Sequence, residues 1–109
     1  MQTIDREELK ARLDSGDHLK LVMTLPPAQF DLKHIPGSVR CFTPPEALAL
    51  LRPDDEIVVY CSCPECPASQ CAGRWLERHG FTRVLHYRGG VVDWEDAGLP
   101  LEGAWAGGR

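Results

Sequence analysis

Blocks of apolar and polar positions alternate along this chain, and their spacing predicts short helices separated by short strands. In residues 5–15, Leu9 and Leu13 recur at the helical interval of four, and Gly16 supplies a stop. The helices predicted in this way cover residues 5–15, 26–32, 44–51, 68–79 and 91–97. The predicted strands cover residues 19–23, 38–41, 56–60 and 83–87.

The clearest strand is Glu-Ile-Val-Val-Tyr at residues 56–60. Its β-branched and aromatic residues show no polar alternation, which is typical of a central strand covered on both faces. Strands that alternate with helices form a mainly parallel sheet with helices on both faces and right-handed connections. Sites in such sheets lie at the carboxyl ends of the strands, where Cys61 follows directly.

Several smaller features complete the predicted architecture. Turns are expected at residues 53–55 and at Gly89-Gly90. Trp94 is expected to anchor the final helix to the core, and the glycine-rich stretch from Leu99 to Arg109 is expected to be loosely held. The apolar side of the helix over 44–51 is predicted to consist of Ala47, Leu48, Leu50 and Leu51.

Length, composition and charge narrow the class of protein. A chain of 109 residues with 43% hydrophobic residues suits one globular domain. The formal net charge of −4 argues against a nucleic acid or an anionic membrane as partner. No apolar run approaches the roughly 20 residues of a membrane span, and the first residues lack the pattern of a signal peptide. We therefore expect a cytoplasmic location.

Five cysteines are many for this length, and four of them fall between residues 61 and 71. In a reducing compartment such a cluster is more often catalytic or metal-binding than a set of disulfides. A thiolate is the reactive form of cysteine, and a helix N-terminus favours it. Cys61 stands between a buried strand and a helix, so we predict that it is the nucleophile of an active-site loop. The other residues of this predicted loop are Ser62, Cys63, Pro64, Glu65, Cys66, Pro67, Ala68 and Ser69.

The chain resembles a rhodanese domain over about residues 4–102, through short motifs in the family's order. In the second half these motifs are Val58-Val59-Tyr60-Cys61, Gly80-Phe81, Val84, Gly89-Gly90, Trp94 and Ala97-Gly98-Leu99-Pro100. In the first half they are Phe30 and His34-Ile35-Pro36-Gly37-Ser38. No single motif is specific, but together they identify the family.

The resemblance implies an α/β fold with a five-stranded, mainly parallel sheet flanked by helices. It implies one domain over residues 1–102, which leaves 103–109 as a flexible tail. It also implies that Cys61 takes a sulfane sulfur from a small molecule or a persulfidated protein and passes it to a thiol or cyanide, without a cofactor or metal. The loop is similar to that of a Cys-x-Cys-Pro subgroup, and Cys63 or Cys66 is a candidate resolving thiol.

The chain departs from the family's pattern in its charged residues. Met23, Thr24 and Leu25 stand where many members have Asp-Val-Arg. The loop is about two residues longer than usual and lacks the common arginine, while Glu65 adds a negative charge. Since a thiosulfate dianion is repelled by that charge, we expect weak thiosulfate activity and a preference for persulfide donors.

Three alternatives remain open at this point. Four thiolates in the cluster are enough to bind zinc, although their spacing is not that of a zinc knuckle. A phosphatase or arsenate reductase needs an arginine six positions after the nucleophile, where this chain has Pro67. The third alternative is a non-catalytic module that senses redox state or binds a partner.

The remaining candidate residues are given structural roles. Cys41 and Cys71 are interpreted as small buried apolar residues. His34 is expected to hold a turn, and Arg88 is interpreted as a surface arginine, with a position facing the loop as the alternative. No common spacing relates His18, His79 and His86, so no metal site is predicted from them.

Overall fold

The computed structural model describes residues 2–16, 18–24, 31, 33–41, 43–61 and 67–103. Its strands are β1 (Gln2–Thr3), β2 (Leu19–Met23), β3 (Val39–Arg40), β4 (Glu56–Tyr60) and β5 (Val84–His86). The helices within these residues are α1 (Arg6–Asp14), α2 (Pro44–Leu50), α3 (Ala68–Arg78) and α4 (Gly90–Asp96). None of these helices is long and apolar enough to cross a membrane.

All five strands form one parallel sheet in the order β1-β5-β4-β2-β3, which confirms the predicted fold class. The central strand β4 sends alternate side chains to opposite faces. Val58 and Tyr60 pack on the side of α1 and α4, whereas Ile57 and Val59 pack on the side of α2 and α3. Both faces of β4 are therefore covered, which explains its uninterrupted apolar sequence.

The ends of the elements follow from local chemistry. Asp5 caps α1, where its carboxylate accepts a hydrogen bond of 2.7 Å from the Glu8 N–H. Gly80, with φ of +89°, follows α3 in the left-handed conformation that glycine adopts most readily. The strands β2 and β4 have their predicted bounds, β3 and β5 are shorter, and α4 begins at Gly90, which was expected in a turn.

The predicted apolar side of α2 is wrong at two positions. Ala47 and Leu51 are buried, but Leu48 and Leu50 are 63% and 45% exposed. Residues 47 and 51 are four apart and share one face of the helix, whereas 48 and 50 point away from that face. This short helix therefore covers the sheet with a single narrow stripe.

The chain is held by hydrogen bonds up to Glu102, so the expectation that it loosens from Leu99 onward is wrong. The Trp94 indole donates a hydrogen bond of 2.8 Å to the Pro100 carbonyl, which confirms Trp94 as an anchor. His34 and Glu102 exchange two main-chain hydrogen bonds of 2.9 Å. The helix predicted at 26–32 lies almost entirely, and residues 104–109 of the tail lie entirely, outside the described residues.

Candidate active site

Cys61 lies at the carboxyl end of β4 and is only 2% exposed. Its carbonyl accepts a hydrogen bond of 3.0 Å from the Val91 N–H at the start of α4. The preceding carbonyl, that of Tyr60, accepts bonds from the N–H and the hydroxyl of Thr24 at 3.1 and 3.3 Å. The main chain at residues 60 and 61 is thus held by hydrogen bonds from Thr24 after β2 and from Val91 in α4.

The sulfur of Cys61 contacts the beginning of α3. The Ser69 hydroxyl donates a hydrogen bond to the Cys61 Sγ over 3.6 Å, and Ser69 itself is buried. Ser69 belongs to the first turn of α3, where main-chain N–H groups lack helical partners and the helix dipole favours negative charge. The predicted meeting of a strand end and a helix start at Cys61 is present.

His86 is a site residue that the sequence analysis missed. Its Nε2 lies 2.8 Å from the Ser69 Oγ. The parallel register pairs His86 with Val59, two residues before Cys61, so β5 carries the imidazole to the same edge of the sheet. Burial, and then the positive charge of Arg88, lower the pKa of His86, which favours the neutral imidazole.

Tyr60 connects the site to the turn at residues 35–38. Its buried hydroxyl accepts a hydrogen bond of 3.0 Å from the Ile35 N–H and lies 2.6 Å from the Ser38 Oγ. Burial raises the pKa of Tyr60 to about 12. This hydroxyl therefore serves as a neutral cross-link inside the core, one residue before Cys61.

The predicted loop is described only at its two ends. Ser62, Cys63, Pro64, Glu65 and Cys66 lie outside the described residues, so their roles stay predictions. At the other end of the loop the structure places Pro67 exposed, Ala68 half-buried and Ser69 buried.

The two other described cysteines differ from each other. Cys41 is buried as expected, and burial, followed by the negative charge of Glu46, raises the pKa of its thiol to about 11. Cys71 is exposed, so its interpretation as a buried residue is wrong; the buried positions of α3 are Ser69, Gly73 and Leu76.

A cavity of about 270 Å³ opens between α2 and α3. Both Cys41 and Cys71 line it, and its described lining contains no charged side chain. Thr24 and Ala68 also line it. Thr24 is hydrogen-bonded to the Tyr60 carbonyl, and Ala68 directly precedes Ser69 in the chain. The cavity therefore extends the site with an apolar surface.

The other polar residues have mainly structural surroundings. The His34 imidazole lies 3.4 Å from the Glu102 carboxylate, in addition to the main-chain bonds between the two residues. Arg88 is exposed, and its charge acts on His86. Within the described residues, no three His, Cys, Asp or Glu side chains are grouped to hold a metal ion. Cys63 and Cys66, which a zinc site in the cluster needs, lie outside that part of the chain.

Comparison with known proteins identifies the class. The rhodanese-like domain family matches residues 5–97. A sulfurtransferase of Allochromatium vinosum is 31% identical over 100 residues, which cover 90% of this chain and 92% of that protein. The solution structure of a rhodanese-like domain from Anabaena sp. has a TM-score of 0.88 at 24% identity, with 100% of this chain and 84% of that chain covered.

The chain therefore belongs to the rhodanese-like sulfurtransferase family. It is also similar to one part of a larger protein, the probable adenylyltransferase/sulfurtransferase MoeZ of Mycobacterium tuberculosis. That match is 33% identical over 96 residues and covers 84% of this chain but 24% of the larger protein.

Proposed function

We propose that this chain transfers sulfane sulfur through a persulfide on Cys61. The observation that carries the proposal is the hydrogen bond from Ser69 to the Cys61 Sγ, at the point where β4 ends and α3 begins. A hydroxyl donor and the positive end of a helix dipole both stabilise a sulfur anion. The same arrangement suits a thiolate before transfer and a persulfide after it.

The reaction has two halves, as expected for covalent catalysis. The Cys61 thiolate attacks the outer sulfur of a donor persulfide, R–S–S⁻. A bond forms between Sγ and the outer sulfur, while the donor's S–S bond breaks and RS⁻ leaves with the electron pair. An acceptor thiolate or cyanide then attacks the outer sulfur and releases Cys61 as a thiolate. The acceptor leaves as a persulfide or as thiocyanate.

The donor is an organic persulfide, on a small thiol or on a protein, rather than thiosulfate. Two features support this choice: the uncharged cavity beside Ala68, and a loop sequence in which Glu65 adds negative charge without a compensating arginine. An apolar surface favours the organic part of a donor, and like charge disfavours a dianion. Cys63, which belongs to the Cys-x-Cys-Pro sequence, or Cys66 is the candidate resolving thiol.

Intact-protein mass spectrometry after exposure to a small-molecule persulfide tests the proposal. We expect the protein to gain one sulfur atom that cyanide removes, and Cys61→Ser to abolish the gain. Cys71→Ser is the matched control for the identity of the carrier: Cys71 is exposed and lines the cavity, so this variant can change the rate but is expected to keep the gain of one sulfur at completion. Cyanide-labile sulfur retained by Cys61→Ser would show that another residue is the carrier.

A thiosulfate–cyanide assay tests the choice of donor separately. We expect a lower rate with thiosulfate than with a small organic persulfide at the same concentration. Equal or faster transfer from thiosulfate contradicts the donor class while leaving the role of Cys61 intact.

A further inference from the structure

Two hydrogen bonds link the three side chains of the site, with the Ser69 hydroxyl in the middle. A serine hydroxyl has a single hydrogen to donate, and a neutral imidazole has one N–H. Ser69 has two partners, the Cys61 Sγ at 3.6 Å and the His86 Nε2 at 2.8 Å. If the Ser69 hydrogen points to the sulfur, Nε2 must be the donor to Ser69. If Nε2 is unprotonated, it takes the Ser69 hydrogen and this donor is lost to the sulfur.

We propose that His86 is a positioning residue that donates its Nε2–H to the Ser69 Oγ and thereby directs the Ser69 hydroxyl onto the Cys61 sulfur. This inference deepens the proposed function and rests on Cys61 as the nucleophile. The hydrogen bonds that connect His86 to the Cys61 sulfur run through Ser69, so the proposed effect of His86 on Cys61 passes through the serine hydroxyl. The arrangement supplies the sulfur anion with a fixed donor that needs no reorientation during transfer.

The charges around the pair are compatible with a neutral imidazole. Arg88, which follows β5, adds positive charge near His86. The neighbouring strand β1 contributes only Gln2 and Thr3, which do not titrate. Ser69 connects His86 to Cys61, the ionisable residue that follows β4. The ionisable residues of α3, which packs against β5, are Cys71, Arg74, Glu77 and Arg78. Nε2 carries hydrogen in the protonated imidazole as well, so acidification preserves its hydrogen bond to Ser69.

The first test reads the tautomer directly in the unmodified protein. Imidazole ¹⁵N chemical shifts at pH 7 separate a protonated Nε2 from a protonated Nδ1. We expect His86 to carry hydrogen on Nε2. A neutral His86 protonated on Nδ1 overturns the proposal without the need for any variant.

The second test measures the rate of iodoacetamide alkylation at Cys61 against pH, with the site assigned by fragmentation mass spectrometry. Ser69→Ala and His86→Leu are each expected to slow alkylation at pH 7 about tenfold, since hydrogen bonds to charged groups are among the strong ones. Both variants should move the pH midpoint of alkylation upward. His86→Gln is expected to stay within about twofold of wild type, because its amide N–H can replace the imidazole donor.

The double variant separates positioning through Ser69 from an independent effect. Combined Ser69→Ala and His86→Leu should react no more slowly than Ser69→Ala alone, because the two residues act as one unit. The inference is overturned if the rate losses of the two single variants multiply in the double variant, or if His86→Leu reacts at the wild-type rate. His18→Gln is the control, since His18 is exposed at the amino end of β2, at the opposite edge of the sheet. If Cys61 reacts with iodoacetamide as expected but never gains sulfur, the proposed function is refuted while the role of His86 stands.

Discussion

Removal of the Tyr60 hydroxyl tests whether the hydrogen bonds that it forms with Ile35 and Ser38 stabilise the fold. In Tyr60→Phe the Ile35 N–H loses its acceptor in a region where Ile35 is fully buried. Ser38 keeps its other bond, since its hydroxyl donates to the Ile35 carbonyl at 2.6 Å. One buried donor is therefore left unsatisfied, which costs about 1–3 kcal/mol of unfolding free energy.

Tyr87→Phe is the matched control because it deletes the same atom elsewhere. The Tyr87 hydroxyl donates to the Asp93 carboxylate at 2.6 Å. That carboxylate is 34% exposed and keeps its bond to Arg6, so water can replace the lost donor. We expect a smaller loss of about 0.5–1.5 kcal/mol.

Urea denaturation of the two variants and wild type at pH 7 gives the comparison. The m-values should agree, so that differences between midpoints report stability alone. The reasoning is refuted if Tyr60→Phe costs no more than Tyr87→Phe. Such a result would mean that the core near Ile35 admits water or rearranges to supply another acceptor.

Three further outcomes are expected. Burial raises the pKa of the Cys41 thiol from 9.0 to about 11, so this thiol ionises at lower pH in the unfolded chain than in the folded one. Its contribution to the free energy of unfolding is therefore lost as pH rises from 9 through 11. In urea denaturation across this pH range, Cys41→Ala should lose less stability than wild type. Ala72→Phe fills the cavity and should lower kcat/KM for a bulky aromatic persulfide more than for a methyl one; equal losses contradict a role for the cavity. Trp94→Ala should cost about 3–5 kcal/mol in denaturant melts, and a loss below 1 kcal/mol would contradict its place in the core.

The bounds of a strand were predictable where its side chains are apolar on both faces of the sheet. Both β2 and β4 have their predicted bounds, and the buried part of each is an uninterrupted apolar run, residues 21–23 in β2 and 57–60 in β4. The buried face of the short, leucine-rich helix α2 was not predictable in this way. Leucines occupy several faces of α2, and tertiary packing alone selects Ala47 and Leu51 for burial.

At the candidate site, the position of Cys61 at the end of β4 was predictable and the neighbouring imidazole of His86 was not. Cys61 is marked by its place at the end of the strongest strand and by the cysteines around it. His86 lies 17 residues after Ser69, and no local spacing relates the two. The usable signal was topological, since β5 lies beside β4 and its last residue reaches the same edge of the sheet.

Cys61 forms hydrogen bonds with helices on both faces of the sheet. Its carbonyl is bound to the start of α4 on one face of the sheet, and its sulfur is bound to the start of α3 on the other. Under the proposed function, a sulfur atom bound to Cys61 therefore stays at one fixed position during transfer. Under the same proposal, donor and acceptor must each reach that fixed sulfur atom.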